Sequence, residues 1–237
     1  MKRRRYTTPL RWAVFDLDGT LKQARDPYVY LHERLGVAEA AASITKAGLS
    51  GRIPYEEWLR LDVGLWRGQP ADRLEAFLRE NPYLPGAQGA VAELRRRGLR
   101  LAILTTGPSL HAHLVAQELG FERILANEVI VRDGFVTGEV GRHIPLGGKG
   151  PALQDLLQAW GADPAACLAV GDGESDVPMF QQVGLAVAVQ PHSLAVRQAA
   201  DLVLETPNLT GLVDALLALD PRLLAPVQSQ RLPPRNR

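Results

Sequence analysis

The chain has 237 residues, of which 46% are hydrophobic and 22% charged, as is ordinary for a globular protein. This length is enough for one domain together with a smaller one. The net charge of +1 gives no whole-protein field that favours nucleic acid or a membrane surface as a partner.

Three further features bear on the compartment. No apolar run in the sequence is long enough to span a bilayer. The single cysteine, Cys167, cannot form an intrachain disulfide, and no apolar segment of a secretory signal follows the basic N-terminus. We therefore expect a cytoplasmic protein.

The first predicted element is a buried strand over about residues 11–17, in which four apolar residues lead to two acids. Asp16 and Asp18 are two positions apart in an extended segment, so their side chains project to the same side. Gly19 lets the chain leave the strand abruptly. Because neighbouring carboxylates repel each other, we expect this pair to bind a cation, a proton or both.

Residues 22–82 have apolar side chains at helical spacing, as in Tyr28, Leu31 and Leu35, and carry no strand signal. This pattern predicts a small all-helical unit inserted after the first strand. Residues 1–21 and 83–220 are then predicted to form the core, and residues 221–237, which have little periodicity, a disordered tail.

From residue 83 onward, the sequence alternates between helical and strand patterns. The predicted helices cover about residues 85–97, 106–119 and 150–160. The predicted strands cover about residues 100–105, 124–126, 167–170, 185–189 and 202–204, with an additional hairpin at 129–137. This alternation predicts an α/β fold, a doubly wound, Rossmann-like parallel sheet with helices on both faces.

In such a sheet, ligands bind beyond the carboxyl ends of the strands. The sequence places carboxylates, hydroxyls and one ammonium there, namely Asp16, Asp18, Asp172, Asp176, Thr105, Thr106 and Lys149. The four acids and one lysine sum to −3, so this edge should not admit a phosphate dianion without a metal, and oxygen ligands of this kind suit Mg²⁺. The set supports phosphoryl transfer, in which one carboxylate attacks phosphorus and a neighbouring acid moves protons.

Four segments resemble the ordered motifs of the haloacid dehalogenase superfamily of phosphohydrolases. They are Asp16–Thr20, Leu101–Thr105, Lys149 and Gly171–Asp176. The resemblance covers about residues 11–205. It implies Mg²⁺ as the cofactor and a small phosphorylated substrate.

The resemblance also implies a role for each matching residue. Asp16 would be the nucleophile and a metal ligand, and Asp18 the general acid and base, with its backbone carbonyl on the metal. Thr105 and the amide of Thr106 would bind phosphate. Lys149 would anchor the phosphate and stabilise the nucleophile. Asp172 would bind the metal, with Asp176 as a further ligand or a supporting partner.

Within the superfamily, the chain is similar to the phosphoserine phosphatase branch. The helical insert matches that branch's cap, as does the stretch Ile44–Gly68, which makes Tyr55 a candidate cap residue for substrate specificity. In that branch a cap glutamate meets the substrate's amino group and a cap arginine its carboxylate, but Arg25 and Asp62 stand at the aligned positions here. Either the two face one cap pocket, as an ion pair or as selectors of a different phosphomonoester, or the alignment has slipped and both are solvated.

The five histidines show no metal-ligand grouping, and each is expected to be solvated or to cap a helix. His111 and His113 lie two apart on a predicted helix, hence not on one face. Three functions remain open: a phosphomonoesterase for a small metabolite, a true phosphoserine phosphatase, and a non-catalytic phospho-acceptor or binding protein. Asp18 favours an enzyme, because a stable signalling phosphoryl group gains nothing from an acid poised to hydrolyse it.

Overall fold

The computed structural model describes residues 6–145 and 147–225. Its strands are β1 Trp12–Phe15, β2 Arg100–Pro108, β3 Arg123–Asn127, β4 Val129–Arg132, β5 Phe135–Val140, β6 Cys167–Gly171, β7 Leu185–Val189 and β8 Leu202–Leu204. Its α-helices are α1 Pro27–Leu35, α2 Ala38–Leu49, α3 Tyr55–Gly64, α4 Ala71–Glu80, α5 Ala87–Arg96, α6 Ser109–Leu119, α7 Lys149–Trp160, α8 Val177–Phe180, α9 Leu194–Ala199 and α10 Leu212–Leu219. Short 3₁₀ turns cover Pro164–Ala166, Glu174–Asp176 and Pro221–Leu224.

Six strands form one parallel sheet in the order β3-β2-β1-β6-β7-β8. Strand β1 lies in the middle, where Phe15 pairs with Ile103 on one side and Val170 on the other. The direction in which strands are added reverses between β1 and β6, which opens a crevice at their carboxyl ends. The predicted doubly wound parallel sheet is therefore confirmed, and its switch point lies beside the acids that follow β1.

The two faces of the sheet bury separate hydrophobic clusters. Ala13 and Phe15 of β1 face the cluster covered by α5, α6 and α10, whereas Val14 faces the cluster covered by α7, α8 and α9. Strands buried on both faces need apolar side chains at every position, which explains the uninterrupted apolar runs in the sequence. Helices on both sides fix the strand ends, and with them the side chains of the crevice.

Four helices, α1–α4, lie between β1 and α5, and we call them the cap helices. Their apolar side chains form a third cluster around Trp66, which also includes Leu110 and Leu114 of α6 and Val129 and Val136 of the β4–β5 hairpin. The helical character predicted for residues 22–82 agrees with these elements, but the docking of the hairpin on the cap was not predicted. None of the described helices has the length and apolar character needed to cross a membrane.

The prediction of a disordered tail from residue 221 is wrong for the part that the structure describes. Residues 221–224 form a 3₁₀ turn in which Leu223 and Leu224 are buried in the first cluster. The backbone N–H of Leu10 donates a hydrogen bond to the carbonyl of Leu223. Two adjacent leucines show no helical periodicity, so the sequence pattern did not indicate that they are buried in the core. Residues 226–237 lie outside the described part of the chain.

Replacing Trp66 with alanine should strongly destabilise the protein. Trp66 is fully buried and stacks on Tyr28, with ring centroids 5.5 Å apart. Removing so large a buried side chain leaves a cavity, so we expect the free energy of unfolding to fall by about 3–5 kcal/mol in urea denaturation. The control is Leu49→Ala at a side chain that is 76% exposed, which should change it by less than about 0.5 kcal/mol. Similar losses in both variants would contradict this view of the cap core.

Candidate active site

A buried lysine links two of the predicted acids. Lys149 is the first residue of α7, and its Nζ donates to Oδ1 of Asp16 and to Oδ1 of Asp176 at 2.6 Å each. All three side chains are buried. Burial alone would lower the pKa of Lys149, but the charges of the two acids outweigh it and raise that pKa above its usual value. Lys149 is therefore a fixed ammonium between the end of β1 and the loop after β6.

The loop after β6 orients the other two acids. Oδ2 of Asp176 accepts hydrogen bonds of 2.9 Å from the backbone N–H groups of Asp172 and Gly173. A side chain at Gly171 would clash with the carboxyl of Asp176, so glycine is required there. Asp176 is fully buried behind this loop, whereas Asp172 lines the cavity beyond it.

Thr105 and Thr106 lie on the same cavity, near the end of β2 and just before α6. Thr105 Oγ1 donates to Oδ2 of Asp18 at 3.2 Å and accepts from the backbone N–H of Gly107 at 2.9 Å. Amides at the start of a helix form a favourable site for an anion. All seven residues predicted at the sheet edge thus lie at one crevice, six of them lining the cavity and Asp176 behind it.

The acids are arranged in a way that fits a divalent cation. One carboxylate oxygen from each of Asp16, Asp172 and Asp176 lies within 4.8 Å of the others. Burial raises the pKa of Asp16 well above its usual value, with repulsion from Asp176 adding and Lys149 opposing. Burial likewise raises the pKa of Asp172. The three carboxylates outnumber the two cations that contact them in the part of the chain that the structure describes, Lys149 and Arg25, and their hard oxygen donors suit an ion such as Mg²⁺ or Ca²⁺.

Arg25 and Asp62 both line this cavity, which has a volume of about 330 Å³. Arg25 does not pair with Asp62; its guanidinium forms an ion pair with the carboxylate of Asp172. Asp62 belongs to α3 and is only 6% exposed. The cavity therefore has a cation at its core end and an acid at its cap end.

Asp62 is a buried acid with little compensation. Its Oδ1 has no hydrogen-bond partner among the described residues, and Nε2 of His32 is 4.0 Å away. Burial raises the pKa of Asp62 to about 7, and the charge of Asp26 adds to the effect. The carboxyl is therefore partly protonated near neutral pH.

An amide from the core holds two cap tyrosines. Nδ2 of Asn127, at the end of β3, lies 3.1 Å from the hydroxyl of Tyr55, 3.2 Å from that of Tyr28 and 2.5 Å from the carbonyl of Thr106. Oδ1 of Asn127 accepts from the backbone N–H of Ile144 at 2.8 Å. Tyr55, predicted as a cap residue for specificity, thus lines the cavity with its hydroxyl fixed to the core.

The sequence reasoning missed several polar residues at the site, among them Thr20, His111 and the buried His32. Thr20 Oγ1 donates to Oδ1 of Asp172 at 2.8 Å, and its place two positions after Asp18 in the motif was the available signal. His111 was expected to be solvated or to cap a helix, and that was wrong. It is fully buried, with Nδ1 2.9 Å from Oδ1 of Asp18. The available signal was that α6 is apolar on most sides, which leaves little solvated surface for a histidine.

Comparison with known proteins agrees with this geometry. A family model described as haloacid dehalogenase-like hydrolase matches residues 13–181, and a second with the same description matches residues 147–216. The chain belongs to the haloacid dehalogenase-like hydrolases. It is similar to the phosphoserine phosphatase of Halobacterium salinarum, at 35% identity over 180 residues, covering 75% of this chain and 85% of that one. That of Methanocaldococcus jannaschii is 29% identical over 197 residues, covering 83% and 92%.

Solved structures give the same result. A phosphoserine phosphatase with a phospho-aspartyl intermediate analogue is 28% identical with a TM-score of 0.72, covering 87% of this chain and 98% of that one. A substrate-bound phosphoserine phosphatase complex is 27% identical with a TM-score of 0.73, covering 88% and 99%. The predicted membership of this hydrolase family, in its phosphoserine phosphatase-like branch, is confirmed.

The raised pKa of Asp62 in this hydrolase predicts a pH-dependent effect of Asp62→Asn on stability. Below about pH 4 the carboxyl is protonated in both the folded and the unfolded state, so the variant should match the wild type. Between about pH 4 and about pH 7 the unfolded chain ionises this carboxyl while the folded chain keeps it protonated, so wild-type stability falls over this range and levels off above about pH 7. We expect Asp62→Asn to be more stable by about 1–3 kcal/mol at about pH 8, measured by urea denaturation across pH.

The matched control is Asp155→Asn, at an exposed acid of α7, which should show no such pH dependence. A constant difference between Asp62→Asn and the wild type at every pH would contradict the assignment of a raised pKa to Asp62.

Proposed function

We propose that the protein is a Mg²⁺-dependent phosphomonoesterase that forms an aspartyl-phosphate on Asp16 and acts on a small phosphorylated metabolite. One observation carries the proposal. The ammonium of Lys149 is held between Asp16 and Asp176 at 2.6 Å from each, beside Asp172, in a cavity that Asp18 and Thr105 also line.

The proposed reaction has two steps. A carboxylate oxygen of Asp16 forms a bond to phosphorus while the bond from phosphorus to the ester oxygen breaks, and Asp18 gives that oxygen its proton. Water then attacks the aspartyl-phosphate, Asp18 takes a proton from the water, and inorganic phosphate leaves Asp16 free. Lys149 keeps Asp16 oriented and supplies positive charge to the phosphate, while Thr105 and the amides at the start of α6 receive its oxygens.

Asp16 and Asp172, which line the cavity, would hold Mg²⁺. When bound, the ion supplies positive charge that screens the anionic nucleophile from the anionic phosphate. Asp176 supports the site from behind, because one of its oxygens is bound to Lys149 and the other to two backbone amides. Thr20 orients Asp172 through its hydroxyl.

Phosphoserine itself is a second candidate substrate, because the similar proteins are named phosphoserine phosphatases. The charges of Arg25 and Asp62 argue against the usual way of binding it, since both are opposite to those expected from the family. We propose that the non-phosphate part of the substrate carries an anionic group toward Arg25 and a donor group toward Asp62.

This exchange of charges has a stereochemical consequence for an amino-acid phosphate. With the phosphate fixed, exchanging the sites for ammonium and carboxylate around the α-carbon inverts the handedness of the zwitterion that fits. The proposed cavity therefore favours D-phosphoserine over L-phosphoserine. We also propose that the enzyme works in the cytoplasm, where charged phosphorylated metabolites are retained, without nucleic acid or membrane as a partner.

A panel of phosphomonoesters tests the reaction. We expect turnover of at least one ester with Mg²⁺, its loss with a chelator, and its recovery when Mg²⁺ is restored. Asp16→Asn should abolish phosphate release because the amide cannot form the intermediate, and Asp18→Asn should lower kcat by about 10²–10⁴-fold. The exposed Asp155→Asn variant is the control. Retained turnover in Asp16→Asn would remove the assignment of the nucleophile.

Charge exchange tests the proposed selectivity. Wild-type protein should have a kcat/KM for D-phosphoserine about tenfold or more above that for L-phosphoserine, because one misplaced charge costs at least about 1.4 kcal/mol. The double variant Arg25→Glu with Asp62→Arg should reverse this preference. Each single variant should lower kcat/KM for both D- and L-phosphoserine. A wild-type preference for L-phosphoserine that the double variant leaves unchanged would contradict the assignment of both residues.

A further inference from the structure

The carboxyl group of Asp18 has two oxygens in different surroundings. Oδ2 lies next to the hydroxyl of Thr105 and close to the backbone of Gly107, on the side that lines the cavity. Oδ1 is buried and has no hydrogen bond within residues 6–145 and 147–225. Nδ1 of His111 lies 2.9 Å from Oδ1.

The position of His111 is unusual for a residue with only a packing role. Its side chain is fully buried in the first turns of α6, between Leu110 and Ala112, which are also buried. Neither ring nitrogen has an aligned hydrogen bond in the described structure. Leaving a buried polar group unpaired costs about 1–3 kcal/mol, and an apolar side chain there would avoid that cost.

The approach of His111 to Asp18 is short but not aligned. The separation of Nδ1 and Oδ1 is that of a hydrogen bond, whereas the angles fall outside the usual range. Hydrogen bonds of this kind often tighten only when the substrate is in place.

We propose that His111 is a positioning residue that holds Oδ1 of Asp18 through its Nδ1–H, so that Oδ2 is the oxygen that exchanges the proton with the leaving group and then with water. The inference rests on the proposed function, in which Asp18 is the general acid and base. A carboxyl group held at one oxygen cannot rotate away from the ester oxygen, and correct placement is a large part of what a general acid contributes.

The way in which the loss of kcat/KM depends on the leaving group separates this positioning role from a purely structural one. The leaving phenolate of para-nitrophenyl phosphate needs little protonation, whereas that of phenyl phosphate needs more. The measured quantity is kcat/KM, because it covers only the steps up to the first irreversible one. The variants are His111→Asn, whose amide N–H takes the place of Nδ1–H, and His111→Gln, whose amide reaches the place of Nε2 instead.

We expect His111→Gln to lower kcat/KM for phenyl phosphate by about tenfold or more and that for para-nitrophenyl phosphate by no more than about threefold. His111→Asn should restore phenyl phosphate cleavage to within about threefold of the wild type. The control is His113→Gln, at an exposed position on the same helix, which should leave both values unchanged. Thermal unfolding of each variant shows that the protein compared is folded.

An equal loss with both esters in His111→Gln, no loss at all, or equal behaviour of His111→Asn and His111→Gln would overturn the positioning role. If His111→Asn folds and His111→Gln does not, a loss of phenyl phosphate cleavage in His111→Asn would also overturn the positioning role. Wild-type protein that cleaves neither ester, nor any member of the panel, would overturn the proposed function and this role with it. An active wild type with a loss independent of the leaving group would overturn only the role of His111.

Discussion

The site depends on one buried ammonium. Lys149 lies 2.6 Å from both Asp16 and Asp176, and without it three carboxylates would repel one another where water screens them poorly. Its two hydrogen bonds join the end of β1 to the loop after β6. Strands β1 and β6 are neighbours at the switch point of the sheet. The same contacts that partly neutralise the acids therefore fix the position of Asp16 relative to the loop that carries Asp172 and Asp176. Even so, burial raises the pKa of Asp16 well above its usual value, and a further positive charge nearby would favour its ionised form.

Residues whose chemistry is set by local spacing were predictable from the sequence. Asp16 and Asp18 follow an apolar strand at the period of an extended chain, and Lys149 opens a helix after a glycine pair. The uninterrupted apolar runs indicated strands buried on both faces, and their alternation with helices indicated a parallel sheet. In such a sheet all carboxyl ends meet at one edge, so topology alone brought distant motifs together. No pairing of individual side chains was needed for that inference.

The contacts that the sequence did not reveal all depend on how helices dock. Arg25 meets Asp172 across 147 positions, and the sequence alone left its partner open. His111 meets Asp18 because α6 begins at the end of β2, the strand that pairs with β1. On a nearly all-apolar helix, hydrophobic periodicity cannot tell which face a polar residue takes. The turn at Pro221–Leu224 was missed for a related reason, since two leucines carry no period. These two contacts and this turn are determined by long-range packing and not by local propensity.

The same docking separates chemistry from selectivity. The proposed reacting groups follow strand ends that two buried clusters hold in place, whereas Arg25 precedes α1 and Asp62 lies within α3. Asn127 connects the two parts, because its amide reaches a cap tyrosine hydroxyl and the carbonyl of Thr106 together. The position of the cap helices is therefore set by contacts with β2 and β3 as well as by their own core. Substitutions on the cavity side of the cap helices can change which ester enters, while the geometry of Asp16, Asp18 and Lys149 is maintained by the sheet.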